Sequence, residues 1–291
     1  PNYAYGEPIW TTLRRDGRIS AVIGGWLVMF AGERGPTYHI PMNAPQSPGE
    51  RDMRASVALD LLSQPANTRP QLVGLYYYDV DIAQHKHGVE SQQARAAIAH
   101  VDAEIGRIID GLAAPGLESN VNVLMVADHG HLDVTGRIVV SDLIDYQDLI
   151  HPALGGGPVF SVWPRPGREE AVYQKLKKAH PRIRAYRGNE IPEEFACCRA
   201  DRAPPILLVA DDGWTMHATK DEYSVKLIGS HAFRLDNPAM HAAFVAAGPG
   251  IRKDGAIQRF HTVDLYSLLA ELLEVPPQHS DGSLKPFCNI L

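Results

Sequence analysis

The sequence predicts an α/β fold in which a mostly parallel sheet is flanked by helices. Two apolar runs, at residues 71–80 and 120–127, have the length and composition of buried strands. Between them, residues 90–112 repeat apolar side chains at intervals of three and four, which predicts a helix with one apolar face made of Ile98, Val101, Ile105, Ile108 and Leu112. A strand, a helix of crossover length and a second strand form the right-handed βαβ unit of parallel sheets.

Four further segments extend this pattern at either side. Residues 20–26 predict a short strand, and residues 242–247 predict a strand that returns to the main sheet. Residues 50–62 have helical spacing, with Met53, Val57 and Leu61 on one face. Thr262 is the expected N-cap of a helix over residues 263–273, because a threonine there precedes an apolar run that prolines follow.

The pattern changes between about residues 139 and 225. Strand-like runs at 158–163 and 205–210 flank a helical pattern at 169–179, with joins rich in proline and glycine. This predicts a small α+β insertion in a single domain that spans residues 1–291.

Composition narrows the functional classes. The 291 residues are 45% hydrophobic with a net charge of -6, and no basic stripe is present, so the sequence predicts no nucleic-acid binding patch. No apolar stretch is long enough to predict a membrane segment in this chain. Cys197, Cys198 and Cys288 form no C-x-x-C pattern, and the sequence leaves their disulfide state and the cellular compartment open.

Both main strands end in an aspartate and a histidine. Asp81 and His85 follow the first strand, and Asp128 and His129 follow the second. The carboxyl ends of the strands in such a sheet line one crevice, and carboxylate with imidazole is a ligand set for zinc and similar ions. With His231 from a later loop, these residues predict a dinuclear metal hydrolase. A helix-capping role for Asp81 and an ordinary loop role for His231 stay open at this point.

Several motifs occur in a fixed order along the chain. G-E-P-I-W at residues 6–10 is followed by P-T-Y at 36–38, a D-x-x-x-H-x-x-G element at 81–88, A-D-H-G at 127–130, and G-S-H at 229–231 with N-P-A-M-H at 237–241. Over its whole length the chain resembles the nucleotide pyrophosphatase/phosphodiesterase (type I phosphodiesterase) family of the alkaline phosphatase superfamily. Gln84 and His131 depart from the pattern, because the family usually has glycine and methionine there.

The resemblance implies an alkaline-phosphatase-like core and a metal-dependent hydrolase of phosphodiester or pyrophosphate bonds. It implies two zinc ions, one bound by Asp81, His85 and His231 and the other by Asp128 and His129. The substrate is expected to be a small nucleotide or another phosphodiester. Tyr38 and Met42 are the expected substrate-binding residues, Met42 standing where relatives have a ring that stacks on the base.

In this family the threonine nucleophile and a further aspartate ligand lie upstream of G-E-P-I-W. We therefore expect this chain to lack its first strand, to contain no catalytic nucleophile and to have little turnover alone. One alternative is an inactive fragment or pseudoenzyme that serves as a metal-binding or structural module. Another keeps the chemistry but acts on phospholipid-derived diesters or phosphonates. The resemblance is compatible with an extracellular, periplasmic or membrane-anchored protein, and the sequence leaves localisation and oligomeric state open.

Overall fold

The computed structural model describes residues 6–24, 34–42, 52–150, 154–195, 203–223 and 227–291. The described α-helices are α1 Ile9–Arg15, α2 Arg54–Leu62, α3 Asp79–His87, α4 Gln92–Ala113, α5 Glu169–Lys177, α6 Lys220–Tyr223 and α7 Leu265–Leu272. The described strands are β1 Ser20–Ile23, β2 Tyr38–Ile40, β3 Leu72–Leu75, β4 Val123–Val126, β5 Leu132–Asp133, β6 Gly136–Val139, β7 Leu154–Gly156, β8 Val159–Val162, β9 Ile183–Arg187, β10 Ile206–Ala210, β11 Trp214–His217, β12 Gly229–Ser230 and β13 Phe244–Ala247. Cys197, Cys198 and the last two residues of the predicted strand 20–26 lie outside the described residues.

The chain forms two compact units. The first contains Pro1–Val80, Ala97–Val126 and Phe244–Leu291, and the second contains Asp81–Ala96 and Ala127–Ala243. In the described part of the chain, no helix is long and apolar enough to cross a membrane.

A parallel sheet of order β2-β1-β3 organises the first unit. All four residues of β1 are buried, as expected for a central strand that reads Ser-Ala-Val-Ile. The predicted strand 71–80 is shorter than expected, because β3 ends at Leu75 and residues 76–78 leave the ladder before α3 begins.

The second predicted strand of the βαβ unit has a different partner. β4 pairs antiparallel with β13, with Phe244 opposite Val126, and no described ladder joins it to β3. The predicted helix between them is α4. Its Leu112 is buried, but Ile98 is half exposed, so the apolar face is narrower than the spacing predicts.

Two helix details differ from the expectation. In α2 the buried residues are Arg54, Ala55 and Ala58, whereas Met53 is exposed. The last helix begins with a 3₁₀ turn capped by His261 rather than Thr262, because Asp264 accepts a hydrogen bond from the His261 backbone N–H in a capping box.

The second unit is built around an antiparallel sheet of order β7-β8-β10-β9. Phe160 and Leu208 of this sheet pack with Val172 and Leu176 of α5 in the unit's hydrophobic core. Two shorter ladders accompany it: β6 with β11, and β5 with β12. The limits of the predicted insertion, about 139–225, stay a prediction.

Candidate metal centre

The candidate site begins on the first turns of α3. Asp81 and His85 are four residues apart on this helix, so their side chains project from the same face. The Asp81 Oδ1 atom lies 3.3 Å from His85 Nε2. His85 Nδ1–H donates a hydrogen bond of 2.8 Å to the Gly229 carbonyl, which fixes the ring and leaves Nε2 free to bind a cation.

The strand β12 carries the next histidine to the same carboxylate. Gly229 approaches α3 so closely that a Cβ there would lie 2.6 Å from the Gln84 carbonyl oxygen. His231 follows directly after β12, and its Nε2 lies 3.7 Å from Asp81 Oδ1. Two segments distant in sequence, α3 and the residues that follow β12, therefore converge on one carboxylate oxygen.

A third histidine reaches Asp81 from the residues before β5. His131 Nε2 lies 3.4 Å from Asp81 Oδ1, and the His131 side chain is almost completely buried. Asp81, His85, His131 and His231 together offer four ligand atoms that all lie within 4.8 Å of one another.

The other predicted pair lies beside this cluster. The His129 ring stacks on the His231 ring, with 3.7 Å between their centroids. Asp128 is more than half exposed, its Oδ2 is 3.6 Å from His129 Nε2, and its Oδ1 accepts a hydrogen bond from the His129 backbone N–H. The structure thus brings all five predicted metal ligands close together. Among the described residues, however, Asp128 and His129 are not part of a group of three or more side chains that could hold one metal ion.

Charge in the cluster is divided between one carboxylate and several imidazoles. Burial by itself raises the pKa of Asp81, but the His85 imidazole and the charges of the other histidines lower it further than burial raises it. The Asp81 carboxylate in turn raises the pKa of His85. Burial, reinforced by the charge of His85, lowers the pKa of His131 to about 4, and burial with the charge of His129 lowers that of His231.

The residues fit a divalent metal ion. Asp81 Oδ1 and His131 Nε2 are buried and make no hydrogen bond, although buried polar atoms usually have a partner. A carboxylate oxygen with imidazole nitrogens is the donor set that zinc takes. A cation between them would satisfy both atoms.

The predicted substrate-binding residues belong to the first unit. Tyr38 is the first residue of β2 and its side chain is exposed. Met42 lies two residues beyond the end of that strand. Their contact with substrate stays a prediction.

Sequence reasoning missed His131 as a member of the site. It was treated as a departure from a family motif, in the place of a methionine. The alternation His129-Gly130-His131 at the end of a strand was the available signal, because a turn of that kind lets neighbouring imidazoles converge.

The fold and this cluster define an α/β protein with a candidate metal-binding site, formed by α3 and by the residues next to β5 and β12. The family model of Type I phosphodiesterase / nucleotide pyrophosphatase matches residues 1–234. The chain belongs to the Type I phosphodiesterase / nucleotide pyrophosphatase family, as its motifs predict.

Curated relatives agree with this membership. The chain is 30% identical to ectonucleotide pyrophosphatase/phosphodiesterase family member 7 of Mus musculus over 73% of this chain and 49% of the relative. It is 29% identical to member 5 of Homo sapiens over 95% and 57%, and 30% identical to the bis(5'-adenosyl)-triphosphatase enpp4 of Mus musculus over 96% and 60%. The chain thus spans about half to three fifths of the length of these relatives.

Solved structures confirm the predicted alkaline-phosphatase-like α/β fold. Murine ectonucleotide pyrophosphatase / phosphodiesterase 5 superposes with a TM-score of 0.87 at 29% identity, covering 98% of this chain and 75% of that chain. An inactive threonine-to-alanine variant of the same murine protein, in complex with AMP, superposes with a TM-score of 0.86 at 29% identity and the same coverage.

Proposed function

We propose that this chain carries the metal centre of a hydrolase that cleaves phosphodiester or pyrophosphate bonds in small nucleotide substrates. The observation that carries the proposal is the convergence of Asp81 and His85 of α3 with His231 from a distant segment, in a member of this family. The domain would be a single alkaline-phosphatase-like one, with the insertion at about residues 139–225.

Two zinc ions are the proposed cofactors. Asp81, His85 and His231 would hold one, and Asp128 and His129 would contribute to the other. Bound zinc supplies Lewis-acid chemistry that lowers the pKa of a hydroxyl group and neutralises charge on phosphate oxygens.

The chain's own groups fix the geometry of this site. The Gly229 carbonyl holds the His85 ring by accepting its Nδ1–H, and stacking holds the His129 and His231 rings parallel. Asp81 contributes the negative charge at the centre of the histidines. These contacts fix ring orientation before substrate arrives, which is the condition for electrostatic catalysis.

The proposed nucleophile is the upstream threonine that the family motifs imply. Two relatives support this assignment and the substrate class. The murine member 5 variant is inactive with a threonine replaced by alanine and holds AMP, and the murine enpp4 relative is a bis(5'-adenosyl)-triphosphatase.

The test measures zinc per chain together with hydrolysis of a chromogenic phosphodiester. It compares this chain with a version extended upstream to include the threonine. We expect zinc in both proteins and turnover only in the extended one. Zinc without turnover in either would favour the non-catalytic metal-binding module, and a chain that binds no zinc would contradict the proposal.

A pair of aspartate variants makes the test specific to the site. Asp81→Ala should lose one zinc per chain, because each predicted ligand set is minimal. Asp211→Ala removes a partly exposed aspartate of the same unit that pairs with Arg182, and should keep the wild-type zinc content. Equal zinc in both variants would overturn the ligand assignment.

A further inference from the structure

We propose that His131 is a fourth protein ligand of the metal ion held by Asp81, His85 and His231. The proposal rests on the metal site of the proposed function and adds one ligand to it. It makes this ion one whose coordination shell is closed by protein side chains.

The spacing of the ligand atoms supports a tetrahedral site. With metal–ligand bonds of about 2.0–2.1 Å, the edge of a zinc-centred tetrahedron measures about 3.4 Å. Asp81 Oδ1 lies 3.3 Å from His85 Nε2, 3.4 Å from His131 Nε2 and 3.7 Å from His231 Nε2. The contact of His131 is therefore as close to the ideal edge as that of His85, and closer than that of His231.

The burial of His131 points to the same role. Only 2% of its side chain is exposed, against 21% for His85 and 33% for His231, and its Nε2 has no hydrogen-bond partner in the described structure. Leaving a buried polar nitrogen without a partner costs free energy. A metal ion beside Asp81 Oδ1 would supply the missing partner.

Strand register explains why His131 and His231 meet. In the β5–β12 ladder Gly229 pairs with Asp133, and Ser230 pairs with Leu132. One further antiparallel step places His231 opposite His131. Directly opposed residues project to the same face, with Cβ atoms about 5 Å apart, which brings two imidazoles to one ion.

A closed shell gives the two metal positions different roles. Sites with four protein ligands are typically structural, whereas catalytic sites keep a position open for water or substrate. The ion at Asp81 would then meet a substrate oxygen only by expanding to five ligands, and the position beside Asp128 and His129 would be the more accessible to a ligand. The difference between the two metal positions depends on His131, which stands at the methionine position of the family motif.

The experiment compares zinc affinity by competition with a chelator in four forms of the full chain: wild type, His131→Met, Asp81→Ala and His217→Met. His217→Met is the matched control, because His217 is a buried histidine of the same unit whose Nε2 pairs with the Thr215 hydroxyl. We expect His131→Met to raise the zinc Kd at least about tenfold, since loss of even an outer-shell partner has an effect of that size. His217→Met should keep the wild-type Kd.

A second measurement needs no variant. In wild-type protein labelled with nitrogen-15 histidine, the first equivalent of zinc should shift three imidazole Nε2 resonances to metal-bound values. Two shifted resonances would overturn the proposal.

The outcomes separate this inference from the proposed function. If Asp81→Ala loses one zinc per chain while His131→Met binds zinc as wild type does, His131 is no ligand and the metal site stands. If wild type binds no zinc, the metal site itself is wrong, and the assignment of His131 fails with it.

Discussion

Arg54 is the most deeply buried charged residue of the first unit. Its side chain is completely enclosed, with Nη2 2.6 Å from Asp52 Oδ2 and 2.9 Å from Asp79 Oδ2. Its Nη1 donates to the Tyr76 carbonyl, and its guanidinium lies 4.0 Å from the Tyr77 ring centre. This one arginine therefore contacts residues 76–78, the segment between β3 and α3.

Arg54→Met should lower the free energy of unfolding by about 3–5 kcal/mol, because it leaves the buried Asp52 charge without its main partner. Urea unfolding measures the change. Replacing Asp52 with Leu in the same protein should recover part of the loss, since only the Asp79 carboxylate, whose side chain is 14% exposed, then lacks its arginine partner.

The control for this prediction is an exposed ion pair. Arg168 pairs with Asp148 at 3.0 Å, and the Arg168 side chain is half exposed. Arg168→Met should leave the free energy of unfolding close to that of the wild type, because exposed ion pairs contribute little to stability. Equal losses in Arg54→Met and Arg168→Met would show that the buried network does not stabilise the unit.

The same network predicts a dependence on pH. Burial alone would raise the pKa of Asp52, but hydrogen bonds and charge from Arg54, with help from His100, lower it to about 2. The unfolded chain has a value near about 3.9. Because the folded value is the lower one, this stabilisation is complete above about pH 4 and is lost as the pH falls through about 2.

Urea unfolding of wild type and Asp52→Asn between about pH 5 and pH 2 measures this contribution. The wild type should lose stability more steeply than the variant as the pH falls, because only the wild type carries the titrating carboxylate. Parallel slopes in the two proteins would contradict the prediction.

At the scale of single residues, the sequence predicts candidate metal ligands, but it does not predict which distant side chains pair with each other. Asp81, Asp128 and His129 were predictable because each follows an apolar run, which is a local signal. Burial of Arg54 was not predictable, because its partner Asp79 is 25 residues away and helical spacing favours apolar residues inside.

At the scale of elements, the turn between β4 and β5 depends on a glycine. A Cβ on Gly130 would lie 2.0 Å from the Ala239 carbonyl oxygen, an overlap that backbone must relieve. The Gly130 N–H donates to the Met240 carbonyl, which ties the turn to the 3₁₀ segment Pro238–Met240. Because this turn carries His129 and His131, its position also sets the position of the site.

Gly130→Ala should destabilise the protein by about 1–3 kcal/mol, the usual cost of forcing extra volume into a packed region, and should weaken zinc binding. The matched change is Gly106→Ala in α4, where a Cβ would meet nothing within 4 Å. That variant should gain about 0.5–1 kcal/mol, because alanine favours helix over glycine. Urea unfolding and chelator competition measure both effects, and a stabilised Gly130→Ala would refute the packing argument.

The sequence predicted the positions of helices and strands better than it predicted which strands pair with each other. Apolar runs and helical spacing gave the positions of β3, β4, β8, β10, α4 and α5, because these signals lie within each segment. The antiparallel pairing of β4 with β13 was missed, since it joins residues 118 or more positions apart and leaves no local trace. The cap at His261 was missed because Thr262 fits the usual preference and only the Asp264 contact decides between them.

At the scale of the whole molecule, all six site residues belong to one unit. Asp81 and His85 lie in Asp81–Ala96, and the others lie in Ala127–Ala243. The sequence predicts one domain with an insertion at about residues 139–225, which lies within the second unit. It does not show that residues 81–96 belong with that unit, because about 30 residues of the first unit separate the two stretches. The family motifs still predict the candidate ligands, since a motif marks residue types and their spacing and does not depend on which segments are in contact.

Because all the site residues lie in the second unit, we predict that zinc slows amide hydrogen exchange mainly in that unit. Ligand that binds only the folded state stabilises it by about 2.7 kcal/mol at a concentration of 100 Kd, which slows exchange through the affected opening about 100-fold. The amides of β5 and β12 in the second unit should gain this protection, because His131 and His231 adjoin that ladder. The amides of β1, in the centre of the first unit's parallel sheet, should change less.

Hydrogen exchange read by mass spectrometry, with and without zinc, tests this expectation. Asp81→Ala is the control: its β5 and β12 amides should gain less protection than those of the wild type, because the central carboxylate of the cluster is gone. Equal protection of β1 and β12 in the wild type would mean that zinc stabilises the whole chain cooperatively. Protection in Asp81→Ala equal to that in wild type would place the zinc elsewhere.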